Sequence, residues 1–257
     1  MELDGRPVTA EQLAQLGLAP YGHFTSMRVD DRHVKGLTLH MERLQRDCGH
    51  LFGADLDTDK VRALVRRSVG DTLGTFVVRV TIYDPTLSLG HPDSRDPHVL
   101  VTSREVSPDV LPPLKVCTVP YERETPWIKH IGLYGSLAVR RQAQRSGFDD
   151  AIFVARDGRL SEGVTWNLGY VIGGEPHWTD AEVLPGVTAR LVDDAHGSLP
   201  VRVLHEEALG QIEAVFATNT SVGVRPISVI NENAYTPEHP VLRKLRDEYA
   251  MVEAEAI

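Results

Sequence analysis

Cysteine, lysine and net positive charge are all scarce in this chain of 257 residues. Its two cysteines, Cys48 and Cys117, lie in different segments and do not form a disulfide framework, so their usage suits a reducing cytoplasm. A formal net charge of −9 argues against a nucleic-acid surface as the main function. No apolar run approaches the length of a membrane span, and residues 1–13 lack the basic and apolar regions of a signal peptide. We therefore expect a cytoplasmic protein that binds neither nucleic acid nor membrane.

Hydrophobic residues make up 42% and charged residues 25% of the chain, as in ordinary soluble globular proteins. Strand-like and helix-like patterns are both present, and turn residues separate them. We predict a hairpin over 2–8, strands over 23–31, 75–84, 98–106, 114–119, 166–174, 201–205, 213–219 and 225–230, a strand–turn–strand unit over 149–163, helices over 37–53, 57–70, 133–147 and 239–256, and a loop leading into a helix over 184–195.

The best domain boundary is the stretch 108–126, which carries five prolines around a single clear strand. It separates a smaller N-terminal α/β lobe, residues 1–112, from a larger C-terminal lobe, residues 125–257. Residues 113–124 are the linker. The predicted fold class is therefore α/β, of the α+β kind, in two lobes.

Lys129 stands in the largely apolar segment TPWIKHIGLYGS, residues 125–136, of a chain with five lysines and twenty-two arginines. Arginine cannot replace an amine that must lose its proton, because only lysine shifts its pKa readily when it is buried. One interpretation is a lysine that snorkels, with its stem on apolar surface and its head in water. The other is a lysine that forms a Schiff base with a carbonyl compound. The second interpretation predicts an acid for a pyridine nitrogen, and backbone amides with hydroxyls for a phosphate.

Two further segments could supply those groups. Glu162, in DGRLSEG, is either a solvated loop glutamate or a carboxylate that keeps a cofactor ring nitrogen protonated. In LPGVTAR, the residues Gly186, Val187 and Thr188 form either a plain helix N-cap or a seat for a phosphate at a helix N-terminus. Neither pattern decides between its two interpretations when it is taken alone.

Two more motifs are ambiguous in the same way. Thr220 lies in ATNTSVGV, which is either an ordinary turn or the source of a second hydroxyl for the phosphate. HMERL places His40 and Arg43 three residues apart, and hence on one helix face. Arg43 is then either a solvated helix arginine or a forked phosphate ligand.

The order of these motifs along the chain is more informative than any one of them. HxxRL, a lone lysine, DGxxxE, LPGxT and NTxxGxxP follow one another, and this series resembles the class IV aminotransferase family, the fold-type IV enzymes that use pyridoxal 5'-phosphate (PLP). The resemblance runs from Asp4 to about Ile230 and is densest over residues 129–190. Within it, LSEGVTWN and VLPGVTAR are close to the sequences that the family usually has in these two motifs.

The resemblance implies a fold-type IV PLP enzyme with the cofactor at the junction of two lobes, acting as a homodimer. Lys129 would form the Schiff base with PLP and move the proton, and Glu162 would pair with the pyridine nitrogen. Tyr134 matches the tyrosine that branched-chain members place against the 3-hydroxyl, and Leu184 would pack on one face of the ring. Asn167 stands at a motif position near the site without an assigned role. The phosphate ligands would come from Arg43, Gly186, Val187, Thr188 and Thr220. The substrate side would be lined by Tyr21, Phe24, Thr25 and Arg28.

The resemblance supports more than one reaction. The first hypothesis is an aminotransferase that moves an amino group from an amino acid or amine to a 2-oxo acid, and LPGVT favours it. The second is an aminodeoxychorismate lyase that releases pyruvate and 4-aminobenzoate, because FTSMRV, HMERLQRDC and IKHIG are similar to those enzymes and Thr25 stands where the family usually has glutamate. A third hypothesis, from another class and not supported by the resemblance, is a non-catalytic α/β binding protein.

No metal site is predicted. HPDSRDPH, residues 91–98, contains two histidines and two aspartates, but its prolines and its position between two strands favour an ordinary loop. No zinc-type spacing occurs elsewhere in the chain.

Overall fold

A computed structural model of the chain describes residues 1–93, 95–106 and 111–257. Ser94, in the predicted 91–98 loop, lies outside the described residues. So do residues 107–110, which include the start of the proline-rich boundary and end near the predicted limit of the 1–112 lobe.

The secondary-structure elements are numbered in chain order. The first half contains β1 (Glu2–Leu3), β2 (Arg6–Pro7), α1 (Ala10–Leu18), β3 (Gly22–Asp30), β4 (His33–Lys35), α2 (Leu37–Phe52), α3 (Thr58–Val69), β5 (Thr75–Tyr83), β6 (His98–Glu105) and β7 (Leu114–Pro120). The second half contains α4 (Tyr134–Arg145), β8 (Asp150–Val154), β9 (Leu160–Gly163), β10 (Asn167–Ile172), β11 (Glu175–Thr179), α5 (Val187–His196), β12 (Val201–Arg202), a 3-10 helix (Glu206–Gln211), β13 (Ala214–Asn219), β14 (Gly223–Ile230), β15 (Asn233–Ala234), α6 (Pro240–Met251) and β16 (Ala254–Ala256).

The chain divides into two compact units, and each is built from separate stretches of sequence. Unit 1 consists of Met1–Pro108, Ile128–Gly132 and Glu253–Ile257, and unit 2 consists of Asp109–Trp127 and Leu133–Val252. The predicted lobes were continuous stretches instead. Backbone pairing explains why the segment 128–132 belongs to unit 1, because Phe24 N donates to Lys129 O at 2.9 Å and Ile131 N donates to Gly22 O at 3.0 Å.

Unit 1 is a seven-stranded sheet in the order β16-β4-β3-β5-β6-β1-β2, with antiparallel pairing throughout its described strands. Helices α2 and α3 contribute to the same buried cluster as Met27 and Val29 of β3. Side chains alternate along a strand, so His23 and Thr25 project from the same face of β3 as Met27 and Val29. The sequence therefore puts two polar residues on the face of β3 that packs against helices.

Local signals explain where the helices of unit 1 begin and end. Helix α2 ends at Phe52 and is followed by Gly53, whose left-handed backbone (φ 59°) suits a residue without a Cβ. Helix α3 begins after Asp57, whose side chain accepts from Lys60 N at 2.9 Å. Helix α1 was not predicted, although Thr9 and Gln12 form a capping box with hydrogen bonds of 2.9 and 3.2 Å. Its signal, S/T-x-x-E/Q before a helical pattern, was present in the sequence.

Unit 2 contains a ring of paired strands. The path β10-β13-β14-β7-β8-β9 closes because β9 also pairs with β10 through Glu162 and Asn167. The β7–β8 and β14–β7 pairs are parallel, and the other pairs of the ring are antiparallel. A cluster that includes Leu168, Tyr170 and Val215 is buried among these strands. Two candidate site residues thus lie at the point where the ring closes.

Helices cover the strands of unit 2 from outside the ring. Helix α4 packs through Val139 and Ala143 on β7 and β8, and Val192 of α5 and Leu242 of α6 share a buried cluster with Phe216 of β13. The predicted helix over 239–256 was too long, because α6 ends at Met251 and residues 254–256 pair with β4 as a strand. Among the described residues, no helix has both the length and the apolar character needed to cross a bilayer.

Candidate active site

Lys129 of unit 1 is held through its backbone. Its N–H donates to Oδ2 of Asp47 at 3.2 Å, and its carbonyl accepts from Phe24 N at 2.9 Å. Asp47 is fully buried, and its other carboxylate oxygen lies 2.7 Å from the guanidinium of Arg46. The backbone of Lys129 is therefore fixed between β3 and α2, while its side chain remains half-buried. No sequence motif indicated this role of Asp47.

Two cationic side chains lie over the ring of Phe24. Lys129 Nζ is 5.0 Å from the ring centroid, and the guanidinium carbon of Arg79 is 3.6 Å from it. Arg79 also donates from Nε to Thr81 Oγ1 at 3.2 Å. Burial lowers the pKa of the Arg79 guanidinium from its ordinary value. Two positive charges over one aromatic ring are suited to an anionic ligand. Arg79 was not among the predicted site residues.

Arg43, predicted as a phosphate ligand, is buried in unit 1 with two polar neighbours. Its NH2 group donates to Thr25 Oγ1 and lies 3.3 Å from Nδ1 of His40, and the same nitrogen of His40 is 2.7 Å from Thr25 Oγ1. Burial lowers the pKa of Arg43 to about 10, although the charge of Asp47 opposes that change. Burial, with the charges of Arg43 and Lys129, holds the pKa of His40 well below its ordinary value. The histidine is therefore neutral beside a charged arginine.

His23 of β3 is a second buried histidine, and it projects from the strand face that also carries Thr25. Burial lowers the pKa of its imidazole to about 3, and the charges of Arg43 and Arg46 act in the same direction. Both of its ring nitrogens are buried without a hydrogen-bond partner among the described residues. The sequence interpretation gave His23 no role.

The four predicted substrate residues do not share one face of the sheet. Phe24 and Arg28 project from the opposite face of β3 to Thr25, because they are an odd number of residues away from it. Arg28 pairs with Asp30 at 2.8 Å, and Tyr21 donates its hydroxyl to the carbonyl of Leu51 at 2.9 Å. Their substrate roles stay predictions.

In unit 2, Glu162 is buried where the ring of strands closes. Its Oε2 accepts from the amide of Leu184 at 3.2 Å, and its Oε1 lies 3.3 Å from Nε of Arg123. The side chains of Arg123 and Glu162 are only 7% and 4% exposed. Glu162 is therefore not a solvated loop glutamate. Arg123 was missed, since a single arginine in the loop YERETP carries no motif.

The N-terminus of α5 carries buried donors. Its N-cap is Gly186, with an extended backbone and no side-chain cap, so Thr188 does not cap the helix. The Thr188 hydroxyl is buried without a hydrogen-bond partner among the described residues, and Val187 is also buried. The first amides of a helix have no partner within the helix. Backbone N–H groups and a hydroxyl therefore meet at this end of α5, a combination that binds anions.

Asn167 ties this helix end to the closure of the ring. Its Nδ2 donates to the carbonyl of Leu184 at 2.7 Å, and a Cβ added at Gly186 would overlap its Oδ1. Glycine is therefore required by close approach at position 186. Asn167 is also paired in register with Thr218, whose buried hydroxyl has no hydrogen-bond partner in the described part of the chain.

Two predicted cofactor residues lie at more open positions. Thr220 is partly buried in the turn that joins β13 to β14, where Asn219 Oδ1 accepts from Ser221 N at 3.0 Å. Tyr134 is the first residue of α4, and 87% of it is exposed. The cofactor contacts of both residues stay predictions.

Comparison with known proteins supplies the family. The model of the family described as "Amino-transferase class IV" matches residues 22–230. The chain belongs to the class IV aminotransferase family. No curated protein sequence matches the chain significantly.

Solved structures of aminotransferases and of a putative lyase share the fold of this chain. A branched-chain aminotransferase from Thermoproteus uzoniensis, solved with norvaline, is 22% identical with a TM-score of 0.84, over 97% of this chain and 92% of that one. A putative 4-amino-4-deoxychorismate lyase from Legionella pneumophila is 19% identical with a TM-score of 0.78, over 91% of each chain. A branched-chain amino acid aminotransferase from Escherichia coli is 19% identical with a TM-score of 0.81, over 93% of this chain and 87% of that one. The predicted fold-type IV architecture is confirmed.

The side chains of this class IV protein fit a pyridoxal phosphate. A phosphate monoester needs hydrogen-bond donors, and the start of α5 offers backbone amides with the unpartnered hydroxyl of Thr188. A protonated ring nitrogen needs a carboxylate, and Glu162 is a buried one. An aldehyde needs an amine, and the half-buried Lys129 carries one. Within the described ranges, no group of three or more histidine, cysteine or acidic side chains is arranged to hold a metal ion.

Proposed function

We propose that this class IV family member is a PLP-dependent aminotransferase that moves an amino group from an amino acid or amine to a 2-oxo acid. The observation that carries the proposal is the donor set at the start of α5, where the Thr188 hydroxyl is buried without a partner among the described residues. A buried hydroxyl without a partner destabilises a fold unless a ligand or water satisfies it. A phosphate ester at this helix end would satisfy both the hydroxyl and the free amides.

Different residues of the chain would bind the ring nitrogen, the ring face, the 3-hydroxyl and the phosphate of the cofactor. Glu162 would accept a hydrogen bond from the protonated pyridine nitrogen, with Arg123 and the Leu184 amide holding its carboxylate in place. Leu184 would cover one face of the ring, and Tyr134 would meet the 3-hydroxyl. The phosphate would be bound by Arg43, Gly186, Val187, Thr188 and Thr220.

Lys129 would bind the cofactor aldehyde and then act as the base. Bound PLP supplies an electron sink that stabilises negative charge on the Cα of the amino donor. The Lys129 amine, once released, would take the proton from the donor Cα and deliver it to C4′ of the cofactor, and it would move the proton in the opposite direction in the half-reaction with the 2-oxo acid. Its backbone hydrogen bonds to Asp47 and Phe24 would keep the amine in reach of that carbon.

Arg79 would bind the carboxylate of the amino donor and of the 2-oxo acid. The guanidinium is partly buried over Phe24, and it forms no ion pair with an acidic side chain among the described residues. Its fork of N–H groups matches a carboxylate. Substitution of Arg79 by methionine should raise KM for a carboxylate donor much more than it raises KM for a simple amine.

A half-reaction tests the proposal. Purified enzyme with PLP receives an amino donor and no acceptor, and the absorbance of the cofactor is followed. Conversion to the pyridoxamine form, reversed by a 2-oxo acid, is expected. A protein that shows neither the PLP absorbance nor an adduct fixed by borohydride would instead be a non-catalytic binding protein.

The second candidate is an aminodeoxychorismate lyase. The hydroxyl-bearing segment FTSMRV favours it, and it rests on the resemblance of this segment to those enzymes. In the same experiment a lyase would release pyruvate from aminodeoxychorismate without a 2-oxo acid and without conversion of the cofactor. The expected homodimer belongs to the same proposal, and sedimentation equilibrium of the purified protein tests it.

A further inference from the structure

Three polar side chains of unit 1 contact one another between β3 and α2. Thr25 and His40 are fully buried, and Arg43 is 6% exposed. His40 and Arg43 are one turn apart on α2, and Thr25 projects towards that helix from β3. Polar side chains in a core require hydrogen bonds among themselves or with a ligand. The hydrogen bonds made among these three side chains therefore determine which polar atoms are left for a ligand.

The chemistry of the donors fixes the direction of each bond. A guanidinium only donates, so Thr25 Oγ1 accepts from Arg43 and its single proton is available for His40 Nδ1 at 2.7 Å. Arg43 also approaches His40 Nδ1 at 3.3 Å, so that nitrogen carries a lone pair. His40 is then neutral with its proton on Nε2. The hydrogen bonds therefore run in series, from the Arg43 guanidinium to the Thr25 hydroxyl and from that hydroxyl to His40.

This series of hydrogen bonds holds the NH2 side of the Arg43 guanidinium and leaves its Nε side available. Nε of Arg43 is buried without a hydrogen-bond partner among the described residues. Asp47, the acid whose charge acts on Arg43, uses its oxygens for Arg46 and the Lys129 backbone. A buried arginine held on one side, with a free donor, is preorganised for an anion.

We propose that Thr25 and His40 are positioning residues that hold the Arg43 guanidinium ready for the cofactor phosphate. This inference rests on the proposed function and assigns Thr25, predicted as a substrate residue, to the phosphate side. Thr25 acts only through Arg43, so its hydroxyl affects ligands that carry a phosphate and spares those that lack one. PLP and pyridoxal differ in that group.

The test compares the dissociation constants of PLP and pyridoxal for enzyme freed of its cofactor. The readout is the ratio of the pyridoxal constant to the PLP constant, which cancels general damage to the fold. Thr25→Val removes the hydroxyl at nearly constant volume and should lower the ratio about tenfold, since hydrogen bonds to charged groups contribute that much. Thr25→Ser keeps the hydroxyl and should keep the ratio near that of the parent.

Arg43→Ala separates this inference from the proposed function. It should lower the ratio at least as far as Thr25→Val, and the double variant should lower it no further, because both substitutions remove one interaction. A normal ratio in Thr25→Val with a low ratio in Arg43→Ala would refute the positioning role and leave the phosphate role intact. A parent-like ratio in Arg43→Ala would refute both. An equal loss in Thr25→Ser and Thr25→Val would assign the effect to packing and also refute the inference.

His40 provides an independent pair of variants. His40→Asn keeps a polar group near the position of Nδ1 and should retain most of the ratio, whereas His40→Leu removes the acceptor and should lower it. A parent-like ratio in His40→Leu would overturn the role of His40.

Discussion

Glu162 and Arg123 form a buried ion pair, with 3.3 Å between Oε1 and Nε and side chains 4% and 7% exposed. Removal of one partner from such a pair leaves an uncompensated charge in the interior. Arg123→Met should therefore lower the free energy of unfolding by about 3–5 kcal/mol, measured by urea denaturation. The double variant Arg123→Met/Glu162→Gln should recover part of the loss, since a neutral amide needs no cation.

An exposed pair provides the control. Arg156 is 94% exposed and lies 3.2 Å from Glu122, so Arg156→Met should cost less than about 1 kcal/mol. Equal urea midpoints for Arg123→Met and Arg156→Met would show that Arg123 does not stabilise Glu162.

Lys129 is expected to be indispensable for turnover. Lys129→Ala should abolish the adduct that borohydride fixes and lower kcat by at least about 10²–10⁴-fold, the usual contribution of a positioned acid–base group. PLP should still bind, because the phosphate donors remain. Lys115→Ala, at an exposed position on β7, is the control and should retain parent activity. Borohydride labelling of the Lys129→Ala protein at the parent level would assign the adduct to another residue.

His23 should make stability depend on pH. Its pKa is about 3 in the folded protein against 6.5 ordinarily, so between these values the unfolded chain binds the proton and the folded chain does not. The stabilisation is present above pH 6.5 and is lost as the pH falls towards 3. The slope should be about 1.4 kcal/mol for each pH unit from this group.

Substitution of His23 isolates that slope from those of the carboxylates. Unfolding free energies of parent and His23→Asn, measured between pH 4 and 8, should converge as the pH falls. The same substitution at the exposed His91 should leave the slope of the parent. Parallel curves for parent and His23→Asn would contradict the buried neutral imidazole.

Gly186 and Asn167 are expected to be coupled. A methyl group at position 186 overlaps Asn167 Oδ1, whose amide is held by the Leu184 carbonyl. Gly186→Ala should cost about 1–3 kcal/mol of stability and weaken PLP binding, since it displaces the start of α5. Asn167→Ala should relieve the overlap, so the double variant should be more stable than the sum of the singles predicts.

A second glycine serves as the control for this cycle. Gly17 in α1 has open space around an added Cβ, and Gly17→Ala should be neutral or stabilising in thermal denaturation. Strict additivity of Gly186→Ala and Asn167→Ala would mean that the two side chains do not compete for the same space.

Helix-capping residues made most boundaries of the helices predictable. Gly53 ends α2 and Asp57 caps α3, because a left-handed backbone and an N-terminal acceptor are local requirements. The same local rule would have found α1 at Thr9. The C-terminal error has a different origin: residues 254–256 continue a helical composition, but they pair with β4, which lies more than 200 residues earlier.

The sequence by itself determined the family and the order of the lysine, glutamate and threonine motifs. Those features depend on neighbours within a few residues or on the series along the chain. Only the tertiary structure decided that Arg123 meets Glu162, that Thr25 holds Arg43, and that Asp47 anchors Lys129. Partners of a buried charge are brought together by strand register and helix packing over tens of residues, and no local pattern encodes that distance.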